Sequence, residues 1–233
     1  MNGFMLSVAM MSLAGTAAVS AAATVSIAFA PNQTGAGGEF RATPSVGFAG
    51  RTGMFSDVLG SFQTFCIERS ETVGQGNYSF TIDAGADLGG QSGGNPDPID
   101  LKTAYLYTQF RTGGAITGFT YDYVDGSGAR LNAAAILQHA IWAIEGELVD
   151  NSNPNGLNGV DLATATALAG IAVPSGFVSS VMAVNLFTDS NNNGRADDGE
   201  RNQSLLTIIP LPTGAAMGMA SLGLLAIRRR AAR

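Results

Sequence analysis

The chain has 233 residues and a formal charge of −6, from 18 acidic and 12 basic side chains, with Lys102 its sole lysine; this balance excludes a polyphosphate partner and hence nucleic acid. A single cysteine, Cys66, excludes an intramolecular disulfide, and the length suits one domain with a processing segment at each end. Residues 1–23 carry no charged side chain, run apolar from Met5 to Ala18 and close on the small residues Ser20 to Ala23, which suit an A-x-A cleavage site. They are expected to be a signal peptide, although the terminal amine is their only positive charge; a buried apolar helix is the alternative. Export implies an oxidising compartment, where a lone thiol is open to oxidation and mispairing and needs a reason to be there.

From Thr24 to Ile209 the pattern is α+β: a sheet or sandwich-like core with a small helical subdomain. Glu39 to Phe48, Phe62 to Ile67 and Tyr78 to Ile82 read as strands, with β-formers at alternate positions. A Gly, Asn and Pro-rich loop spans Gly85 to Pro98. Asp100 caps a helix that runs through Leu101, Ala104, Tyr105, Tyr107 and Phe110 to a stop at Gly113 and Gly114. A longer helix is expected from Ala129 or Arg130 to Glu147, and Asp161 caps a short alanine-rich one. Val181 to Thr188 and Ser204 to Ile209 read as strands joined by a polar loop, and no internal repeat is present.

The long helix contains one polar intruder. Leu131, Ala134, Ala135, Ile141 and Trp142 lie beside Gln138 at spacings of three, four and seven, so an uncharged amide sits on an apolar stripe. Buried there, it must find partners or cost about 1 to 3 kcal/mol. A hydrogen bond to a loop is one solution.

Phe65-Cys66-Ile67 on a strand and Leu137-Gln138-His139-Ala140-Ile141-Trp142 on a helix offer another. Together they resemble the paired signature of bacterial thioester domains, an aromatic-Cys-apolar triplet followed by apolar-Gln-x-x-apolar-Trp. Ala104-Tyr105-Leu106-Tyr107 resembles the helix that such domains place between the two. The likeness spans Phe40 to Ile209 and is specific at the two motifs only. It implies that the Cys66 thiol and the Gln138 carboxamide condense with release of ammonia, leaving a thioester that an amine on a surface protein or polymer can open. A thiolate is both a good nucleophile and a good leaving group, so the bond stores an activated acyl group. The reading is of a single-turnover adhesin or tether, not an enzyme. Phe62, Phe65 and Trp142 are the nominated water shields, although each is equally expected in a core.

His139 and Glu68 are candidates to assist proton transfer, as is Glu145. Neighbours on a helix point about 100° apart, so His139 is expected at the rim, and solvated surface positions are the ordinary expectation for the two carboxylates. Two readings compete: a Cys66/His139 hydrolase, which lacks a recognisable orienting motif, and a structural protein of the extracellular matrix in which Cys66 and Gln138 are mere core neighbours.

Asp189-Ser190-Asn191-Asn192-Asn193-Gly194 and on to Glu200 follows D-x-N-x-N-G-x5-E, which resembles an EF-hand-type loop. The resemblance implies calcium ligands from Asp189, Asn191, Asn193, the Arg195 carbonyl, Asp197 and Glu200, with weak affinity because two acidic positions are Asn. Strand-like flanks depart from the family pattern and leave a polar hairpin loop as the alternative. No other cofactor is expected.

At the C-terminus, Ile209-Pro210-Leu211-Pro212-Thr213 precedes a small-residue-rich apolar block from Gly214 to Ile227 and then Arg228, Arg229 and Arg230. This order resembles a PEP-CTERM sorting signal in a P-L-P-T variant, without the usual Pro-Glu-Pro core. It implies a membrane helix over 210–233, processing by an exosortase-type enzyme, and a cell-surface or matrix location. A plain membrane anchor, with arginines on the cytoplasmic side, is the alternative.

Overall fold

The computed structural model describes residues 23–34, 37–45, 60–90, 94–148 and 161–209. The signal-peptide and sorting-tail expectations lie outside them, and among the described residues no helix is long and apolar enough to cross a membrane.

The architecture is mixed α+β. Six antiparallel strands form one sheet: β1 (Thr24–Thr34), β2 (Gly37–Pro44), β3 (Phe62–Thr64), β4 (Gly76–Asp83), β7 (Val181–Phe187) and β8 (Arg201–Ile208). Their order across the sheet is β3-β2-β1-β4-β7-β8. β1, which has no counterpart in the strand expectations above, lies at the centre of the sheet, paired on one side with β2 and on the other with β4. Two short strands, β5 (Gly85–Ala86) and β6 (Asp97–Pro98), pair within the segment read as irregular.

Among the described residues the sheet does not stack on a second one as a sandwich would. It curls until its edges meet: Cys66 bridges Leu205, Ile67 N donates to the Ser204 carbonyl at 3.0 Å, and Leu206 N donates to the Phe65 carbonyl at 3.1 Å. The Thr64 hydroxyl adds a bond to the Leu206 carbonyl at 2.6 Å, and the Tyr107 hydroxyl stands 2.8 Å from the Gln63 carbonyl and 2.9 Å from that of Leu206. A nearly closed sheet leaves little free edge to recruit another chain.

Among the described residues three helices join the sheet: α1 (Leu101–Thr112), α2 (Gly128–Ile144) and α3 (Leu162–Ala169). The Asp100 side chain caps α1 by accepting from Lys102 N, and Gly113 ends it with φ at 67°, a left-handed conformation that favours glycine. Ser127 caps α2 by accepting from Arg130 N, and Asp161 caps α3 by accepting from Thr164 N. α2 stops three residues short of Glu147, because the chain turns at Gly146, whose φ is 77°.

An ion pair ties α2 to β2. Arg130 meets both carboxylate oxygens of the fully buried Glu39, through Nε at 2.7 Å and Nη2 at 2.8 Å, and Nη1 donates to the Tyr123 carbonyl. The apolar core falls into two clusters. One, under the helices, includes Phe65, Ile67, Leu106, Phe110, Leu137 and Ile141. The other includes Val25, Ile27, Phe40, Phe62, Cys66, Trp142 and Leu205.

Candidate functional site

The cysteine segment alternates as an extended chain must: Phe65 and Ile67 belong to one cluster and Cys66 to the other. At the seam, the bonds to β8 come from the Phe65 carbonyl and the Ile67 N–H, so the N–H and carbonyl of Cys66 itself are left without a partner strand. Gln138 fills that place. Its Oε1 accepts from Cys66 N at 3.0 Å and its Nε2 donates to the Cys66 carbonyl at 2.9 Å. The Gln138 side chain is fully buried and Cys66 is 5% exposed. The two residues of the candidate crosslink, 72 positions apart, are therefore in direct contact, and the amide predicted on an apolar stripe is satisfied by a main chain rather than by water.

The aromatic residues divide between the clusters. Phe62 and Trp142 share the cluster of Cys66. Phe65 packs on the other face, edge-on to Phe110 with centroids 5.1 Å apart. Arg111, fully buried, lies over the Phe62 and Tyr107 rings and donates to the Tyr107 hydroxyl, so it braces the same seam.

Two expectations about exposure are corrected. His139 is not at the rim: it is 2% exposed, its ring stands edge-on to Trp142 with centroids 5.3 Å apart, and neither ring nitrogen has a hydrogen-bond partner. α3, which packs against α2, supplies the cover that the α2 sequence alone does not reveal. Burial, and secondarily the positive charge of Arg69, lowers its pKa to about 4, so the imidazole is neutral at ordinary pH.

Glu68 is likewise buried, at 1% exposure, instead of solvated. Burial first, then the charge of Glu71, raises its pKa to about 10, and burial with Glu147 raises Glu71 to about 7. Burial, followed by the charges of Glu68 and Glu71, also pushes the Cys66 thiol well above its ordinary range. The resting site thus holds a neutral thiol beside a protonated carboxyl. Glu145 caps the start of α1 by accepting from Asp100 N, and burial lifts its pKa to about 7.

The sequence reading did not single out Glu71 or Glu147. Glu147 is fully buried and accepts from Arg69 N at 3.2 Å, which ties the end of the α2 turn to the chain just beyond Cys66. The local signal was Glu68-x-x-Glu71, a close acidic pair that only the fold brings out of water.

The polar loop between β7 and β8 is held by its own groups. Asp189 accepts from the N–H groups of Asn193 and Gly194, Asn193 Oδ1 accepts from Arg195 N, and the amides of Asn191 and Asn193 both donate to Asp197. Glu200 accepts from Ser190 N and Asp197 N. Among the described residues, no three His, Cys, Asp or Glu side chains converge in a way that could hold a metal ion. The flanks are strands, as the sequence indicates, so the loop is a hairpin connection and not a helix-loop-helix.

No family model, curated protein or solved structure matches the chain.

Proposed function

We propose that this chain is an exported surface protein whose Cys66 thiol and Gln138 carboxamide condense into an internal thioester, through which it attaches covalently to an amine-bearing partner surface. The observation that supports this reading is the pair of hydrogen bonds from the Gln138 carboxamide to the main chain of Cys66, in a region shielded by Phe62 and Trp142. Such a clamp holds the carboxamide against the main chain of the residue that carries the nucleophile, and fixed proximity of reacting groups supplies much of the barrier reduction in reactions of this kind.

In the forming step, Cys66 Sγ bonds to Gln138 Cδ, the Cδ–Nε2 bond breaks, and nitrogen leaves as ammonia after taking up the thiol proton. In the attachment step, an amine nitrogen bonds to Cδ, the Sγ–Cδ bond breaks, and the amine proton returns to sulfur. Glu68, the carboxyl that acts most strongly on Cys66, is protonated at neutral pH and suits proton delivery to the departing thiolate. The reading also takes residues 210–233 as a tail processed by an exosortase-type enzyme, with the mature domain held at the cell surface.

Intact-protein mass spectrometry tests it. The mature domain should be lighter than its sequence mass by one ammonia, and methylamine should add covalently at Gln138. Cys66→Ala should abolish both effects. A full-mass protein inert to methylamine would replace this reading with that of a matrix protein whose Cys66 and Gln138 are only core neighbours.

A further inference from the structure

The loop between β7 and β8 contains Asn193-Gly194, and hydrogen bonds there hold the groups of an internal condensation in place. Asparagine is among the thermally labile residues. Before glycine it is open to attack by the next main-chain nitrogen, which has no neighbouring Cβ to obstruct it. Such a nitrogen is ordinarily a poor nucleophile, because nothing takes its proton and nothing activates the carbonyl that it attacks.

Both needs are met in this loop. Gly194 N donates to Asp189 Oδ2 at 2.9 Å, so a carboxylate stands where the proton must go. Asn193 Oδ1 accepts from Arg195 N at 2.8 Å, so a fixed donor faces the oxygen on which negative charge would grow. The same bond closes a turn from the Asn193 side chain to the main chain two residues on, and Cγ and the Gly194 nitrogen both belong to the small ring so formed. Asp189 Oδ1 accepts from Asn193 N at 2.9 Å and Asp197 Oδ2 accepts from Asn193 Nδ2 at 2.7 Å, which holds main chain and carboxamide together. Asn193, Gly194 and Arg195 are exposed, so water has access to the product.

We propose that Asn193 is a self-modification site, at which the loop converts the carboxamide to a carboxylate through a cyclic imide, with Asp189 as the base. Gly194 N bonds to Asn193 Cγ while its proton passes to Asp189. The Cγ–Nδ2 bond then breaks, and the nitrogen leaves as ammonia with that proton, returned through solvent. Water opens the imide either at Cγ, giving an aspartate, or at the Asn193 main-chain carbonyl, giving an isoaspartate that routes the chain through its β-carbon. The aspartate product sets a carboxylate against Asp197 where a donor stood, so the loop loses a bond and gains a like-charge contact. The change is one-way and is independent of the Cys66–Gln138 chemistry.

Peptide mass spectrometry on the full chain, kept at neutral pH and sampled over weeks, tests the proposal. Conversion at Asn193 is expected to run about tenfold faster in the folded chain than in the same chain unfolded in urea, where the sequence is unchanged and the held geometry is gone. Asp189→Asn keeps an acceptor for the Gly194 N–H but supplies no base, so it should remove that advantage while circular dichroism stays unchanged. A folded wild type that converts no faster than the urea-unfolded chain overturns the site. Conversion of folded Asp189→Asn at the wild-type rate overturns the role of Asp189.

Discussion

The Gln138 carboxamide holds Cys66 by both main-chain polar groups, accepting from its N–H at 3.0 Å and donating to its carbonyl at 2.9 Å, at the seam where the sheet closes on itself. One side chain thereby stands in for the strand that the cysteine segment lacks. The same two bonds satisfy a buried amide and fix it against the main chain of the only cysteine of the chain, so the structural contact is also the one on which the proposed chemistry depends.

That coincidence separates two variants. Gln138→Leu leaves two buried main-chain groups unpaired, at about 1 to 3 kcal/mol each, and also removes any crosslink. Cys66→Ala removes the crosslink, worth about 4 kcal/mol if loop-closure estimates for disulfides transfer to a 72-residue separation, and keeps an intact carboxamide with both main-chain bonds, one of which condensation would give up with Nε2. Urea unfolding should therefore show Cys66→Ala losing about 4 kcal/mol and Gln138→Leu losing more. A Cys66→Ala loss near 1 kcal/mol would mean that no covalent loop is present.

The buried acids set a pH dependence. Glu68 and Glu71 titrate near 10 and near 7 in the folded chain, against an ordinary 4.5. The folded state thus binds protons that the unfolded state has released, and stability falls as pH rises from 4.5, with slope up to about 1.4 kcal/mol per pH unit for each group. Glu71 contributes to about pH 7 and Glu68 to about pH 10. Denaturation midpoints should decline between about pH 5 and pH 8, and Glu68→Gln should flatten the decline and gain at least about 1 kcal/mol at pH 8. A midpoint that rises over this interval would remove Glu68 and Glu71 as buried acids.

What was legible in the sequence was local. Asp100 and Asp161 cap their helices as read, because a cap acts within a single turn, and Gln138 is apolar-flanked on α2 because helical periodicity is a property of that segment alone. What was hidden depends on distant cover. His139 looks like a rim residue until α3 packs over it, and Glu68 looks solvated until Gln203 donates to its carbonyl and the seam closes around it. The curl of the sheet was equally out of reach, since it rests on residues 65–67 meeting 204–206 across almost the whole domain.

The β7–β8 loop yields a third prediction. Glu200 closes it by accepting two main-chain N–H groups, so Glu200→Ala should lower the melting temperature slightly with or without calcium. If the oxygens of Asp189, Asn191 and Asn193 also serve calcium, millimolar calcium should raise the melting temperature of the wild type and leave Glu200→Ala unmoved. A melting temperature indifferent to calcium assigns the loop to its self-capped role alone.

Arg130 couples stability to the proposed chemistry. Its bidentate bond to Glu39 anchors the first turn of α2 on β2, and Gln138 lies two turns farther along the same rigid helix. Removing one partner of a buried pair costs about 3 to 5 kcal/mol, because the other charge is left uncompensated. Arg130→Met should therefore destabilise strongly, whereas Arg130→Met combined with Glu39→Leu should recover part of the loss. Helix position is the second readout. If the pair sets where the Gln138 carboxamide meets Cys66, the double variant, although folded, should lose ammonia more slowly than wild type when intact mass is followed after refolding. Equal rates would show that packing of α2 against β1 and β2 fixes the carboxamide without the ion pair, and that Arg130 serves stability only.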